Sequence, residues 1–366
     1  MLWFESFGIS EDSIDSPFQL MMQRNNLQGV SELVRQTNLA AVNKYGAERK
    51  PFNIAQLNHS GRRCVDRNGE PAPICGWSQP IYAGMTIGNA PIASDEYIEK
   101  TVECYVDAAE TALLAGFDGV DIKACHRYLC SELLSAYTRD GEYGGSFENR
   151  TRLLRNGIAN AKANTSNGFT VTTRLNAYDG FEYPYGFGVS KDSGLEPDMT
   201  EPVKLTGILH RDYGIKLIDI SIGNPYVNPH VNRPFDSGEY VPDEHPLIGV
   251  ERIMNCVGSI QKSFPDMTVI GSGFSYLRNL SPYLAAGAIN EGICKIAGFG
   301  REAFAYPEFI HDLKKYGKMD SNKCCIACGK CTKLMRMGKR AGCVVRDSEI
   351  YAREYKEGIA ELEACI

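Results

Sequence analysis

The chain predicts an α/β fold of the TIM (β/α)8 type, and two patterns predict it. Short apolar runs rich in β-branched residues alternate with stretches of helical periodicity, the signature of a parallel sheet. Polar residues fall at the C-terminal ends of those runs along much of the chain, where barrel enzymes carry their functional groups. An open doubly wound sheet would accept the same alternation. The spread of polar groups over many strand ends favours the barrel.

The runs lie at 2–7, 52–57, 119–124, 169–175, 217–222, 267–271 and 292–297. These are seven strands where a (β/α)8 barrel needs eight, and Met1 stands at the edge of the first. The expectation is therefore a barrel with seven recognisable strands whose first βα unit is absent. The clearest helix is 94–116: Ser94 can cap it, Ile98, Val102, Tyr105, Val106, Ala109 and Leu113 share a face, and Gly116 stops it. At strand ends stand Gln56, Lys123 with His126, Arg174, Ser221 with Asn224, GSG at 271–273 and Gly300 with Arg301. The two glycine-bearing ends would let backbone N–H groups and one guanidinium approach a phosphate. Taken singly, each is more simply a strand–helix turn. The long connections 176–197 and 223–246 read as lids, and their aromatic residues, taken one at a time, as packing groups.

Residues 316–366 are expected to form a second segment after a barrel domain at 1–315. It contains Cys325, Cys328, Cys331 and Cys343 in the spacing C-x2-C-x2-C-x11-C. Thiolates at such gaps can wrap an iron–sulfur cube or a tetrahedral zinc, and the spacing ranks the cluster first. Between Lys323 and Arg346 lie seven basic residues and no acidic one, a setting that would offset the charge of a thiolate-ligated cluster or form a solvated face.

With 366 residues, 43% of them hydrophobic, the chain can bury a large core. Its 39 basic and 45 acidic residues give a formal charge of −6, which argues against nucleic acid as a partner. No basic region followed by an apolar run opens the chain, and no run of 18 apolar residues occurs, so neither a signal peptide nor a membrane span is expected. The cysteines outside the C-terminal group are scattered as reduced core thiols are, and a cytoplasmic location follows as an expectation.

The stretch 115–154, AGFDGVDIKACHRYLCSELLSAYTRDGEYGGSFENRTRLL, resembles the old yellow enzyme family of flavin oxidoreductases, in which AGFDGVEIH.AHGYL is followed by YGGS.ENR. QLNHSGR at 56–62, Arg174 in TTRL, the two glycine ends and the cysteine run extend the resemblance over most of the chain. The cysteines place it with the iron–sulfur branch, whose relatives include 2,4-dienoyl-CoA reductases, 2-enoate reductases and amine dehydrogenases. The resemblance implies FMN with Gln56 at the pyrimidine side of its ring, Arg174 near N1/O2, and Gly273, Gly300 and Arg301 around its phosphate. It implies a [4Fe-4S] cluster on Cys325, Cys328, Cys331 and Cys343, with Cys324 outside the ligand set. His126, with Lys123 beside it, would hold a substrate oxygen while Tyr128 protonates carbon. Lys123 stands where the family has histidine. Tyr143, Gly144, Gly145, Asn149 and Arg150 read as scaffold.

The expected activity is reduction of an activated C=C bond in an α,β-unsaturated carbonyl compound. The rivals are amine dehydrogenation, which the cysteine spacing supports and Lys123 opposes, and a non-catalytic zinc protein. No G-x-G-x-x-G follows a strand. NAD(P)H is therefore expected to reduce FMN directly, or an electron-transfer flavoprotein or ferredoxin to feed the cluster. An oligomer is compatible with the sequence.

Overall fold

Each of the seven apolar runs contains a strand. A computed structural model describes residues 1–238 and 240–364; Glu239 in the second long loop and residues 365 and 366 of the expected C-terminal segment lie outside the described residues. In chain order the strands are β1 (Leu2–Gly8), β2 (Asn53–Asn58), β3 (Gly119–Ile122), β4 (Thr170–Thr172), β5 (Arg174–Asn176), β6 (Leu217–Ser221), β7 (Thr268–Gly271) and β8 (Ile296–Ala297). β4 and β5 come from one run interrupted at Thr173, whose hydroxyl donates to the Ile122 carbonyl at 2.7 Å. β8 begins later than its run because residues 292–293 are spent closing the preceding helix: Gly292 takes φ +66 and Ile293 N–H bonds the Ala288 carbonyl.

The chain divides into two compact units, Met1–Asp219 and Ile220–Ile366, with the cysteine-rich segment inside the second. In the first unit β1, β2, β3 and β4 lie side by side, all parallel. β2 and β3 are buried along their whole length, as strands covered on both faces must be. Helix α1 (Leu27–Tyr45) connects β1 to β2, and α2 (Asp95–Ala115) precedes β3. The expected signals for α2 hold: Ser94 Oγ accepts from Tyr97 N–H, and Gly116 ends the helix with φ +91. Ile98, Val102, Tyr105 and Ala109 are buried, whereas Val106 and Leu113 are half-exposed at the margin of the face. Burying each large apolar side chain contributes roughly 1.5–3 kcal/mol. The short helix α3 (Leu129–Leu134) is wholly buried.

In the second unit β7 and β8 pair in parallel, Ile270 opposite Ile296 and Gly271 opposite Ala297. Val257 and Ile260 of the helix Pro246–Ser263 are fully buried, as is Val269 of β7. Helices Lys330–Arg336 and Ser348–Ala364 follow the first cysteines and the last ligand-spaced one respectively. Among the described residues no helix is long and apolar enough to cross a membrane.

Candidate functional site

The pleat of β3 puts Asp121 and Lys123 on one face. The β2–β3 register sets Gln56 opposite Asp121, and Gln56 donates through Nε2 to Asp121 Oδ2 at 2.6 Å. Trp3 Nε1 donates to the same oxygen at 2.8 Å, and Arg174 N–H to Oδ1 at 2.6 Å. Burial pushes the Asp121 carboxyl up, against the pull of these donors. The Arg174 guanidinium stands 3.0 Å from Asp219 through Nε. Burial lifts Asp219 to about 6 although that cation lowers it. Asp219 Oδ1 has no hydrogen-bond partner among the described residues. Gln56 and Arg174, both expected at a cofactor ring, are thus joined through Asp121.

Lys123, His126 and Tyr128 also come together. His126 and Arg127 take φ of +64 and +60, the left-handed region that favours glycine, and each such residue costs on the order of 1–3 kcal/mol. The buried guanidinium of Arg127 offsets that cost: it bonds Asp179 at 2.7 Å, Ser135 Oγ at 2.5 Å and the Gln79 side-chain carbonyl. This turn delivers Tyr128 to the N-cap of α3. The Tyr128 hydroxyl donates to Asp15 Oδ2 at 2.8 Å. Lys123 Nζ stands 4.2 Å from the centre of the Tyr128 ring and 3.4 Å from Ser6 Oγ. The His126 ring lies edge-on to Tyr128 at 6.5 Å.

The residues read as scaffold behave as scaffold. Tyr143 is buried, Ser146 caps the turn of helix Phe147–Arg150 through Asn149 N–H, and Arg150 pairs with Glu201 at 2.7 Å. In the first long loop Tyr178, Phe181 and Phe187 are buried and pack the loop down. Sequence reasoning missed Asp15, Asp121, Arg127, Asp179 and Asp219. Only Asp121 had a legible signal, its two-residue spacing from Lys123.

In the second unit the β7–β8 pairing sets GSG 271–273 beside GFGR 298–301. Gly273 has φ +98, and a Cβ there would meet Ile253 Cδ1 at 2.8 Å; a Cβ at Gly300 would meet nothing within 4 Å. Arg301 lines a pocket shared by Cys325, Cys328, Cys331, Cys343 and Arg346. Two of those thiols receive backbone donors, Cys325 from Ala327 N–H at 3.4 Å and Cys343 from Arg346 N–H at 3.3 Å. The left-handed Ala327 (φ +56) and Gly329 (φ +73) bend the chain between cysteines. Burial raises the Cys325 thiol, with the Ala327 donor opposing. Cys324 is fully buried against Tyr306 and Met319, away from that lining. Among the described residues no three His, Cys, Asp or Glu side chains stand in a formed metal shell.

Parallel strands carrying polar side chains at their C-terminal ends define an α/β protein whose fold resembles that of old yellow enzyme barrels. Residues 37–188 match the NADH:flavin oxidoreductase / NADH oxidase family, and the chain is homologous to it over that stretch. A curated relative, "NADH:flavin oxidoreductase FG08077" of Gibberella zeae, is 31% identical over 245 residues, 61% of this chain and 58% of the relative. The chain spans about three fifths of the length of such relatives. Among solved structures, 2-naphthoyl-CoA reductase aligns with a TM-score of 0.74 at 19% identity, over 96% of this chain and 50% of that one. The old yellow enzyme homologue of Zymomonas mobilis aligns with a TM-score of 0.62 at 20% identity, over 87% and 80%. Both likenesses concern the fold.

The residues present fit both groups that the resemblance implies. For FMN, the first unit offers the Gln56 amide and the Arg174 guanidinium, on residues both tied to Asp121, with an unsatisfied Asp219 carboxylate oxygen beside Arg174. For an iron–sulfur cluster, four cysteines line one pocket and backbone N–H groups donate to two of their sulfurs, the kind of hydrogen bonding that tunes cluster sulfurs.

Proposed function

We propose that the chain is a flavin-dependent oxidoreductase that reduces a C=C bond conjugated to a carbonyl. FMN would be held by Gln56, Arg174, Gly273, Gly300 and Arg301, and a [4Fe-4S] cluster by Cys325, Cys328, Cys331 and Cys343. The observation that carries the reading is the convergence of Lys123 and His126 on Tyr128. FMN, when bound, would supply the hydride that the β-carbon takes up. His126 and Lys123 polarise the carbonyl oxygen, and Tyr128 turns its O–H from Asp15 to the α-carbon, leaving a phenolate that solvent reprotonates. The guanidinium of Arg174, which remains charged at any working pH, favours anionic reduced flavin. NAD(P)H is the proposed donor to FMN, with a ferredoxin or electron-transfer flavoprotein as the alternative supply through the cluster. A cationic amine substrate would meet the Lys123 ammonium beside Tyr128, which disfavours the dehydrogenase alternative.

Tyr128→Phe tests the assignment. Substrate reduction is expected to slow about 10²–10⁴-fold while flavin reduction by NAD(P)H stays near wild type. Equal loss in both half-reactions would rule out the proton-donor role. Turnover of a tertiary amine with none of an enone would overturn the substrate class.

A further inference from the structure

The second long loop was read as a lid, yet its Arg233 is turned toward the cysteine segment. Nη1 donates to Thr332 Oγ1 at 3.3 Å, one residue beyond Cys331. Nη2 lies 3.6 Å from the position a Cβ would take on Gly329, between Cys328 and Cys331. The side chain is half-buried, and its Nε has no hydrogen-bond partner among the described residues. Burial first, then the nearby cations Arg301 and Arg336, lower the guanidinium to about 10 against the opposing pull of Cys331 and Cys325. A partly desolvated cation crowded by two others is costly unless an anion stands among them. Arg301 and Arg346 line the cysteine pocket itself. A negative charge at the thiols would face Arg233, Arg301 and Arg346 together.

We propose that Arg233 is a positioning and charge-compensating residue of the cysteine centre, setting the reduction potential of the iron–sulfur cluster bound there. This rests on the cluster reading above. Reduction adds one electron and no bond changes; a guanidinium beside the sulfurs stabilises the extra negative charge and so raises the potential. Lysine would keep the charge and lose the planar fork that reaches Thr332.

The test is a potentiometric titration, followed by electron paramagnetic resonance, of the anaerobically reconstituted full chain and of Arg233→Leu and Arg233→Lys. Iron and acid-labile sulfide are measured on each sample. The expected result is a potential shifted negative in Arg233→Leu and partly restored in Arg233→Lys. An unchanged potential in a fully loaded Arg233→Leu protein overturns the inference and leaves the cluster reading intact. A folded Arg233→Leu protein that loses iron supports it, provided Arg233→Lys keeps iron; loss from both equally overturns it. Wild-type chain that takes up zinc but no iron and sulfide overturns the cluster reading itself, and this inference with it.

Discussion

Asp219 shows how a single buried group ties stability to pH. Its carboxyl is raised from 3.8 to about 6, so between those values the folded chain binds more protons there than the unfolded chain does. Its contribution is fully present below about pH 4 and is lost as pH rises through 6, about 3 kcal/mol in all. Asp219→Asn removes that slope but leaves Arg174 without its partner. The stability advantage of wild type over the variant is expected to shrink as pH rises from 4 to 6.5, measured by urea unfolding; a constant difference would place the titration elsewhere. Little of this was legible in the sequence. Gln56, Arg174 and Tyr128 announced themselves through motifs, but Asp15 meets Tyr128 across 113 positions and Asp219 meets Arg174 across a strand pairing. An isolated aspartate carries no mark of the partner that folding gives it.

At the scale of elements, the Arg127–Asp179 pair fastens the entry of α3 to the loop after β5. Both side chains are about 1% exposed. Removing one partner strands the other charge, so Asp179→Ala is expected to cost about 3–5 kcal/mol, whereas the double replacement Arg127→Met with Asp179→Leu should cost much less than the sum of the singles. Urea unfolding of the four proteins decides it, and additive effects would mean that the pair is not coupled. The α2 cap gives a smaller, cleaner test: Ser94→Ala should destabilise by about 1 kcal/mol in the same assay. That helix was readable because cap, stripe and stop all agreed. β8 was misjudged in extent because its apolar run is shared between a helix terminus and a two-residue strand, which periodicity cannot separate.

Across the whole molecule, seven strand runs foretold seven strand regions because buried parallel strands need continuous apolar sequence, a local property. Charge is not local in the same sense. The basic stretch around the cysteines suggests a docking face for an acidic electron carrier on a chain whose formal charge is −6. Folding answers part of that charge within the chain: Lys323 pairs with Asp312, Lys339 with Glu361 and Arg340 with Glu354. Arg346 is turned inward, its Nε donating to the Cys324 carbonyl at 3.0 Å. The segment is therefore less positive than seven bases imply. If a ferredoxin reduces the chain, its second-order rate is expected to fall only a fewfold between low salt and about 0.15 M, where the Debye length is about 8 Å. Glu354→Gln and Glu361→Gln should steepen that dependence by releasing Arg340 and Lys339. Stopped-flow reduction across a salt series reads both effects. A steep salt slope in the wild-type chain, unchanged by the two substitutions, would show that the paired bases were never withdrawn from the docking face.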